Sequence, residues 1–419
     1  MNIDLSNYNG WLPSREVHDI FIIDLLERAT CRYEARAEHV PSVRKFQQTI
    51  QANATMVKLF KNVFLQSPMS QAQIFDFENF LHFLDIIVVE PPKFVQKNGI
   101  SGHISLPMHL LFDILSNTSA AYDLFRMGEF NEALRDLLCS WGEYLKTSDS
   151  GKTLNDGPDG WFSKAAMKAL EENRGVFNET YVVFDDTAVN RGYISWDEFF
   201  TRRIQPRARP VVPVPPHRTV IYNPCESTVA RHSSNVQAHD RFWLKGEMPY
   251  SLYDIFDGDN DTAQKFVGGT IYQSFLSPQD YHRWHSPVTG TVVDARIVPG
   301  TYYAFLPDEG RDGDPRGAFV RSLPWLTMVA TRAIITIQAD SDKIGLVAFV
   351  GVGMAEVSTC ELLVQPGQRV EPGRQIGMFH FGGSAHALIF GPKAKVTFTD
   401  EAQKGKHIHV NKIIANVGE

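Results

Sequence analysis

The sequence predicts an α+β protein in which a helical N-terminal domain, residues 1–185, precedes a mostly β domain, residues 186–419. Three observations predict this order. Apolar residues recur at helical spacing in the first part of the chain. A proline-rich stretch follows, between Pro206 and His217. Beyond it, the sequence changes to short runs rich in β-branched residues, which are typical of strands.

The helical part is clearest in an apolar set that is spaced to occupy one face of a helix. Its members are Leu134, Leu137, Leu138, Trp141 and Leu145. A second apolar run, Ile20 to Leu26, follows Pro13 and Ser14, two residues that commonly begin a helix. Turn-forming residues dominate 148–160, so we expect a loop there. This part shows no catalytic constellation, which favours a packing domain.

The stretch between Pro206 and His217 should be an extended connector, because prolines remove backbone donors and disfavour both helix and central strand. Further on, two apolar, β-branched runs flank a turn at 340–343 and predict a hairpin. The predicted strands are Thr291–Val298, Ala333–Ala339, Gly345–Val352 and Ala394–Phe398.

The composition is that of a globular protein, with 43% hydrophobic and 11% aromatic residues. The net charge is −7 without a block of Lys or Arg, which argues against nucleic-acid binding. Four cysteines without a C-x-x-C pair fit a reducing compartment. The first residues do not resemble a secretory signal, and the most apolar run, Phe80 to Val89, is too short to span a bilayer. We expect a cytoplasmic protein that binds neither nucleic acid nor membrane.

A glycine pair directly precedes Ser384, with a strand-like run before it and an apolar run after it. An ordinary β-turn has the same composition. The glycines Gly382 and Gly383 also permit strained backbone angles that other residues avoid. Such a turn could present the carbonyl of Gly383 to the hydroxyl of Ser384, so this motif alone leaves both interpretations open.

Two histidines three residues apart, His282 and His285, lie in a segment bracketed by Pro278 and Pro287. The prolines argue against a long helix. The pair could pack or be solvated, bind a metal, or transfer protons. A metal site needs more ligands than these two, and none is obvious nearby, so we predict no metal.

Glu226 lies in the segment Asn223–Ser227, just after the proline-rich connector. A carboxylate at such a place can orient a histidine, as it does in a catalytic triad. On its own, an ordinary loop glutamate is the simpler interpretation.

Taken together, these segments resemble one family. Residues 280–287, D-Y-H-R-W-H-S-P, are similar to the D-Y-H-R-x-H-x-P signature of phosphatidylserine decarboxylases, and residues 382–384, G-G-S, resemble their self-cleavage motif. Residues 195–203 resemble the start of their catalytic domain, and the resemblance covers about residues 190–419. The N-terminal half and the residues around both motifs resemble more closely a soluble fungal branch, which includes the L-tryptophan decarboxylases of psilocybin biosynthesis.

The resemblance implies a precursor that cuts itself between Gly383 and Ser384. Ser384 would then become a covalent pyruvoyl cofactor, which supplies an electron sink for decarboxylation. The large chain, 1–383, and the small chain, 384–419, should stay associated through β pairing.

The resemblance also implies roles for three other side chains. His285, oriented by Glu226, is the candidate base that activates the serine hydroxyl, and His282 is the candidate that reprotonates the substrate carbon. The chain departs from the family at two positions. Glu226-Ser227 stands where aspartate and glycine are usual, and Ala385 stands where threonine or serine is usual.

The function implied is that of a pyruvoyl-dependent carboxy-lyase acting on a free aromatic L-amino acid, with L-tryptophan giving tryptamine and CO2 as the first expectation. The alternative is a phosphatidylserine decarboxylase that makes phosphatidylethanolamine, although the sequence offers no convincing membrane anchor. A further alternative is a catalytically inactive binding protein, which only the departures at Glu226 and Ala385 support.

Overall fold

The computed structural model describes residues 10–67, 76–239, 250–308, 316–356, 359–381 and 383–418. It confirms the α+β class, since helices dominate the N-terminal part and antiparallel sheets the C-terminal part. The described helices of the N-terminal part are α1 (Arg15–Glu34), α2 (Pro41–Ala52), α3 (Ala54–Gln66), α4 (Phe77–Ile87), α5 (Pro107–Ser116), α6 (Ser119–Leu124), α7 (Gly128–Leu145), α8 (Lys164–Glu171) and α9 (Phe177–Thr180).

Both helices predicted from apolar periodicity form. The hydroxyl of Ser14 caps α1 by accepting a hydrogen bond from the backbone N–H of Val17 over 3.4 Å. Helix α7 buries all five members of its predicted apolar face. The segment predicted as a loop contains a 3-10 helix, Ser148–Thr153, before its turns. A hairpin of β1 (Lys93–Lys97) and β2 (Ile100–Ile104) interrupts the helical part and was not predicted.

The C-terminal part is built mainly from strands. They are β3 (Val220–Tyr222), β4 (Ser227–Ser234), β5 (Thr270–Leu276), β6 (Arg283–His285), β7 (Gly290–Val298), β8 (Arg332–Ala339), β9 (Leu346–Met354), β10 (Cys360–Leu362), β11 (Arg369–Val370), β12 (Gln375–Phe379), β13 (Gly383–Phe390), β14 (Val396–Phe398), β15 (His407–Ile408) and β16 (Ile413–Val417). Five short helices accompany them in the described residues: α10 (Trp196–Phe200), α11 (Leu252–Ile255), α12 (Asn260–Phe266), α13 (Ala318–Arg321) and α14 (Leu323–Val329).

The main sheet has eight antiparallel strands in the order β11-β7-β8-β9-β13-β5-β4-β15. The predicted hairpin is confirmed as β8 and β9, and the prediction for β7 is confirmed too. The last predicted strand is shorter than expected, since β14 begins at Val396. Two small sheets, β10-β12-β6 and β14-β16-β3, complete the part. The connector 206–217 contains neither helix nor strand.

The two faces of the main sheet belong to two hydrophobic clusters. On β13, Ala385, Ala387 and Ile389 face the larger cluster, which continues into the N-terminal helices, whereas Leu388 and Phe390 face the smaller one. Because side chains alternate along a strand, the residue at 384 points to the smaller cluster. One hydrophobic core thus contains residues from both sides of the predicted domain boundary at 185/186. The division into two domains at this position stays a prediction. None of the helices in the described ranges combines the length and apolarity that crossing a bilayer requires.

Candidate active site

Ser384, the predicted nucleophile, lies in the interior strand β13 and is fully buried. Its register partners are Gly353 on β9 and Leu276 on β5. Within the described part of the chain, its hydroxyl has no hydrogen-bond partner. Gly383 begins the same strand, and Gly382 lies outside the described residues. A buried, unpaired hydroxyl costs about 1–3 kcal/mol, so its presence points to chemical use.

The residue just before the glycine pair of the predicted cleavage site packs against the helical part. Phe381, which precedes the glycine pair, has a positive φ of 20°. Its ring packs against α7, with its centroid 5.6 Å from that of Trp141. A Cβ atom at Gly142 would lie 2.4 Å from the Cζ of Phe381. The absence of a side chain at Gly142 therefore lets the aromatic ring fit against the helix.

His282 lies in the turn between β5 and β6, fully buried, and its ring stacks on Phe200 of α10 with centroids 3.9 Å apart. Its backbone carbonyl accepts a hydrogen bond from the N–H of Phe379 over 3.0 Å. Neither ring nitrogen finds a hydrogen-bond partner among the residues described. Burial lowers the pKa of His282 to about 3. The imidazole is therefore neutral at physiological pH, with one nitrogen free to donate and one to accept.

His285, on β6, is held by hydrogen bonds on both sides. Its Nε2 lies 2.9 Å from the hydroxyl of Tyr281, and its Nδ1 lies 3.1 Å from Oδ1 of Asn411. The amide nitrogen of Asn411 donates to the carbonyl of Arg209, so Oδ1 is the acceptor. The proton of the neutral ring therefore belongs on Nδ1, and Nε2 accepts from Tyr281. Burial lowers the pKa of His285 to about 4, although the Asn411 contact opposes this shift.

Glu226 is buried, but its carboxylate contacts Arg209 at 2.7 and 3.1 Å rather than His285. Asn411, rather than Glu226, contacts Nδ1 of His285, so an orienting role of Glu226 would act without a direct contact and stays a prediction. A buried carboxylate is best stabilised by a two-point guanidinium contact, which explains this arrangement. Burial alone would raise the pKa of Glu226, yet Arg209 outweighs burial and lowers it.

The segment that carries both histidines is fixed by Asp280, the first residue of the signature segment, to which the sequence analysis assigned no role. Its buried carboxylate accepts hydrogen bonds from Arg174 at 2.6 Å and from the N–H of Ser277 at 2.7 Å. His407, from β15, lies 2.8 Å from the same carboxylate. Burial would raise the pKa of Asp280, but the charge of Arg174 outweighs it and lowers the pKa. Asp280 thus ties the signature segment to the C-terminal end of the chain.

One cluster in the helical part has the donor atoms of a metal site. His39, His82 and Asp85 offer atoms within 4.8 Å of one another. The carboxylate of Asp85 already contacts Arg32 at 3.2 Å and the N–H of Val40 at 2.9 Å, and both histidines contact it at 2.8 and 3.1 Å. A guanidinium beside these donors disfavours a cation. The cluster therefore acts as an anchor for the start of α2.

A comparison with known protein families shows the family to which this chain belongs. A family model of phosphatidylserine decarboxylase matches residues 196–416, which include strands β3 to β15 and all of β16 except its last residue. The chain belongs to the phosphatidylserine decarboxylase family. A second model with the same description matches residues 40–170 of the helical part. This decarboxylase is therefore a carboxy-lyase, and its family uses a pyruvoyl group.

Relatives of this decarboxylase extend the match to the helical part. The decarboxylase iboD of Amanita muscaria is 53% identical over 80% of this chain and 99% of its own length. The L-tryptophan decarboxylase of Psilocybe cyanescens is 35% identical over 97% of this chain and 94% of its own length. Phosphatidylserine decarboxylase proenzyme 3 of Schizosaccharomyces pombe is 32% identical over 50% of this chain and 20% of its own length.

Sequence reasoning on this decarboxylase missed the partners that position its predicted residues. Asn411 lies 126 residues from His285, so no local spacing could connect them. Arg209 belongs to the stretch that was predicted only as an extended connector, and its side chain is buried against Glu226. Tyr281 lies inside the signature segment, and this position was the sequence feature that could have indicated its contact with His285.

Proposed function

We propose that this decarboxylase matures by cutting its own chain between Gly383 and Ser384, and that the mature enzyme decarboxylates a free aromatic L-amino acid, with L-tryptophan the first candidate. The observation that supports maturation best is that the hydroxyl of Ser384, fully buried on an interior strand directly after Gly383, has no hydrogen-bond partner among the residues that the structure describes. A serine kept only for packing would be expected to have a hydrogen-bond partner.

In the proposed cleavage, Oγ of Ser384 attacks the carbonyl carbon of Gly383, and the amide becomes an ester. Loss of the α-proton of residue 384 then breaks the bond between its Cβ and Oγ. This step releases the carboxylate of Gly383 and leaves dehydroalanine, which takes up water and loses ammonia to give the pyruvoyl group. All atoms come from the chain and one water molecule.

His285 is the base that we propose for this cleavage. It is neutral, and the hydrogen bond of Nδ1 to Asn411 directs the lone pair of Nε2 toward Tyr281. A proton that reaches Nε2 must therefore pass through the hydroxyl of Tyr281 or displace it. Glu226 acts without contact in this arrangement, since its negative charge partly opposes the lowering of the pKa of His285 by burial.

The surroundings of residue 384 fit a pyruvoyl group, because the position is buried and carries an unsatisfied polar atom. The group, once formed, supplies an electrophilic ketone and an electron sink. His282 is neutral, and neither ring nitrogen is hydrogen-bonded within the described ranges, so it is the residue that we propose delivers a proton to the α-carbon of the substrate. Its stacking on Phe200 holds the ring in one plane.

The choice of substrate rests on which relatives match the whole chain. A protein named L-tryptophan decarboxylase aligns over 97% of this chain, including the helical part, whereas the phosphatidylserine decarboxylase of Schizosaccharomyces pombe aligns over 50%. An indole placed in an apolar pocket contributes a few kcal/mol of binding, on the order of a fully buried aromatic side chain.

The test is to incubate the processed enzyme separately with L-tryptophan, L-phenylalanine, L-tyrosine, non-aromatic amino acids and phosphatidylserine vesicles, and to quantify the amines. We expect tryptamine to form fastest, and the Ser384→Ala variant to form none. Phosphatidylethanolamine as the sole product would contradict a free amino-acid substrate. Amines from non-aromatic amino acids alone would contradict an aromatic one.

A further inference from the structure

A third buried histidine lies beside the reacting residue. His386 follows Ser384 by two positions on β13, so both side chains point to the same face of the sheet, with Cα atoms about 7 Å apart. The register places Ser274 of β5 and Gly351 of β9 opposite His386. None of the family-like motifs includes this histidine.

The ring of His386 is fully buried, and neither of its nitrogens has a hydrogen-bond partner in the described residues. Burial lowers the pKa of His386 to about 3, so the ring is neutral at physiological pH. A neutral imidazole offers one donor and one acceptor, and both are unused here. Buried polar groups are nearly always paired, so these atoms point to a ligand that the chain alone does not supply.

The β9 residues opposite positions 386 and 384 are Gly351 and Gly353, neither of which has a side chain. Aromatic rings pack around this part of the sheet. The centroids of Tyr272 and Phe349 both lie 5.9 Å from that of His386, and rings of Phe349 and Trp284 cover Gly351. The unpaired nitrogens therefore lie in buried, largely aromatic surroundings, where one hydrogen bond to an ion is strong.

We propose that His386 contacts the substrate and donates a hydrogen bond to the carboxylate of the amino acid bound at residue 384. This inference rests on the proposed function. The α-carbon of an amino acid held at residue 384 lies close to that residue, so its carboxylate falls within the span between positions 384 and 386. The contact is made in the bound state and is lost as CO2 leaves. Its removal should therefore weaken substrate binding more than it slows turnover.

The test uses the mature enzyme and two variants of this position. His386→Phe keeps the ring size and removes both polar atoms, and His386→Gln restores a donor. Cleavage is checked first on a denaturing gel. Kinetics then give KM and kcat for the accepted amino acid and the inhibition constant of its product amine. Calorimetry gives Kd for the matching amine-free acid, which is 3-indolepropionate for L-tryptophan.

We expect His386→Phe to be cleaved normally and to raise both KM and the Kd of the acid roughly tenfold or more, the size of one hydrogen bond to a charged group. The inhibition constant of the amine, which has no carboxylate, should not change. His386→Gln should recover part of the loss. His103→Phe, which alters another buried histidine in the β1–β2 hairpin, is the matched control and should behave like wild type.

Three outcomes would overturn the assignment. The first is an unchanged Kd for the acid in His386→Phe, and the second is an equal loss for acid and amine. The third is a failure of both variants to cleave, which would assign His386 to maturation. A wild-type enzyme that is cleaved but decarboxylates no amino acid would instead refute the proposed function, so the two failures are distinguishable.

Discussion

At the scale of single residues, the two histidines of the signature segment differ in how they are held. His285 is fixed on both sides by Tyr281 and Asn411, which suits a base that must act once in a defined geometry. His282 stacks on Phe200, and its ring makes no hydrogen bond to any residue that the structure describes, which leaves both nitrogens available to a ligand. This difference supports separate roles in maturation and turnover.

Replacing each histidine by alanine should separate these roles. His285→Ala should remain a single uncut chain, because the hydroxyl of Ser384 stays protonated without a base. His282→Ala should be cut, yet lose roughly 10²- to 10⁴-fold in turnover, the usual contribution of a proton-transfer group. Denaturing gels and amine release measure the two effects. An uncut His282→Ala beside a normally processed His285→Ala would reverse the assignment.

At the scale of elements, the chain between β12 and β13 leads directly to the predicted cleavage site. Phe381, in this connection, packs on α7. Gly142→Ala would bring a Cβ atom to 2.4 Å from the ring of Phe381, which must then shift. We expect cleavage of this variant to be slower than that of wild type, because the glycine pair that follows Phe381 moves with it. A time course of cleavage after synthesis measures the effect.

Gly128→Ala is the matched control for this change, since it lies on the same helix and an added Cβ meets nothing within 4 Å. If both variants were cleaved at the same rate as wild type, the helical part would have no influence on maturation.

The contacts of His380 with carboxylates on two other elements predict that the stability of the protein depends on pH. His380, just after β12, lies 2.9 Å from Asp197 of α10 and 2.8 Å from Glu361 of β10. Burial opposes the charged ring, but the two carboxylates outweigh burial and raise the pKa of His380. Its contribution to stability is therefore complete below the unfolded pKa of about 6.5 and is lost as pH rises through the folded pKa.

Urea unfolding of the uncut Ser384→Ala chain, with and without His380→Gln, measures this dependence. The difference in unfolding free energy between the two should be largest near pH 6 and should shrink as the pH rises to 9. A difference that grows with pH would contradict the raised pKa of His380.

The elements also show which parts of the structure could be predicted from the sequence and why the others could not. Strands β8 and β9 were predictable because each is a largely apolar, β-branched run with a turn between them. Strand β7 was predictable from its β-branched residues, although Asp294 and Arg296 interrupt the run. The β1–β2 hairpin was missed because it is short and lies among helices, where the apolar pattern of its neighbours dominates. Ser384 and both histidines were proposed as site residues from motifs. Contacts such as His285 to Asn411 arise only when β6 meets the end of the chain, which no spacing reveals.

At the scale of the whole molecule, the predicted cut falls between two pieces that share the main sheet and the β14-β16-β3 sheet. From the small chain, 384–419, β13 pairs with both β9 and β5, β15 pairs with β4, and β16 pairs with β3. His407 also contacts Asp280 across the cut. Removing either piece would expose the core of the main sheet, so the two chains should separate only in denaturant.

The most direct test of the central claim is the intact mass of the small chain, recovered from enzyme that was purified natively and then denatured. The small chain should contain 419 − 383 = 36 residues, should co-purify with the large chain, and should be lighter by one ammonia than the same peptide beginning with serine. Its N-terminus should resist Edman degradation, because it carries no amine. A single chain of 47.3 kDa that still decarboxylates its substrate would contradict the account.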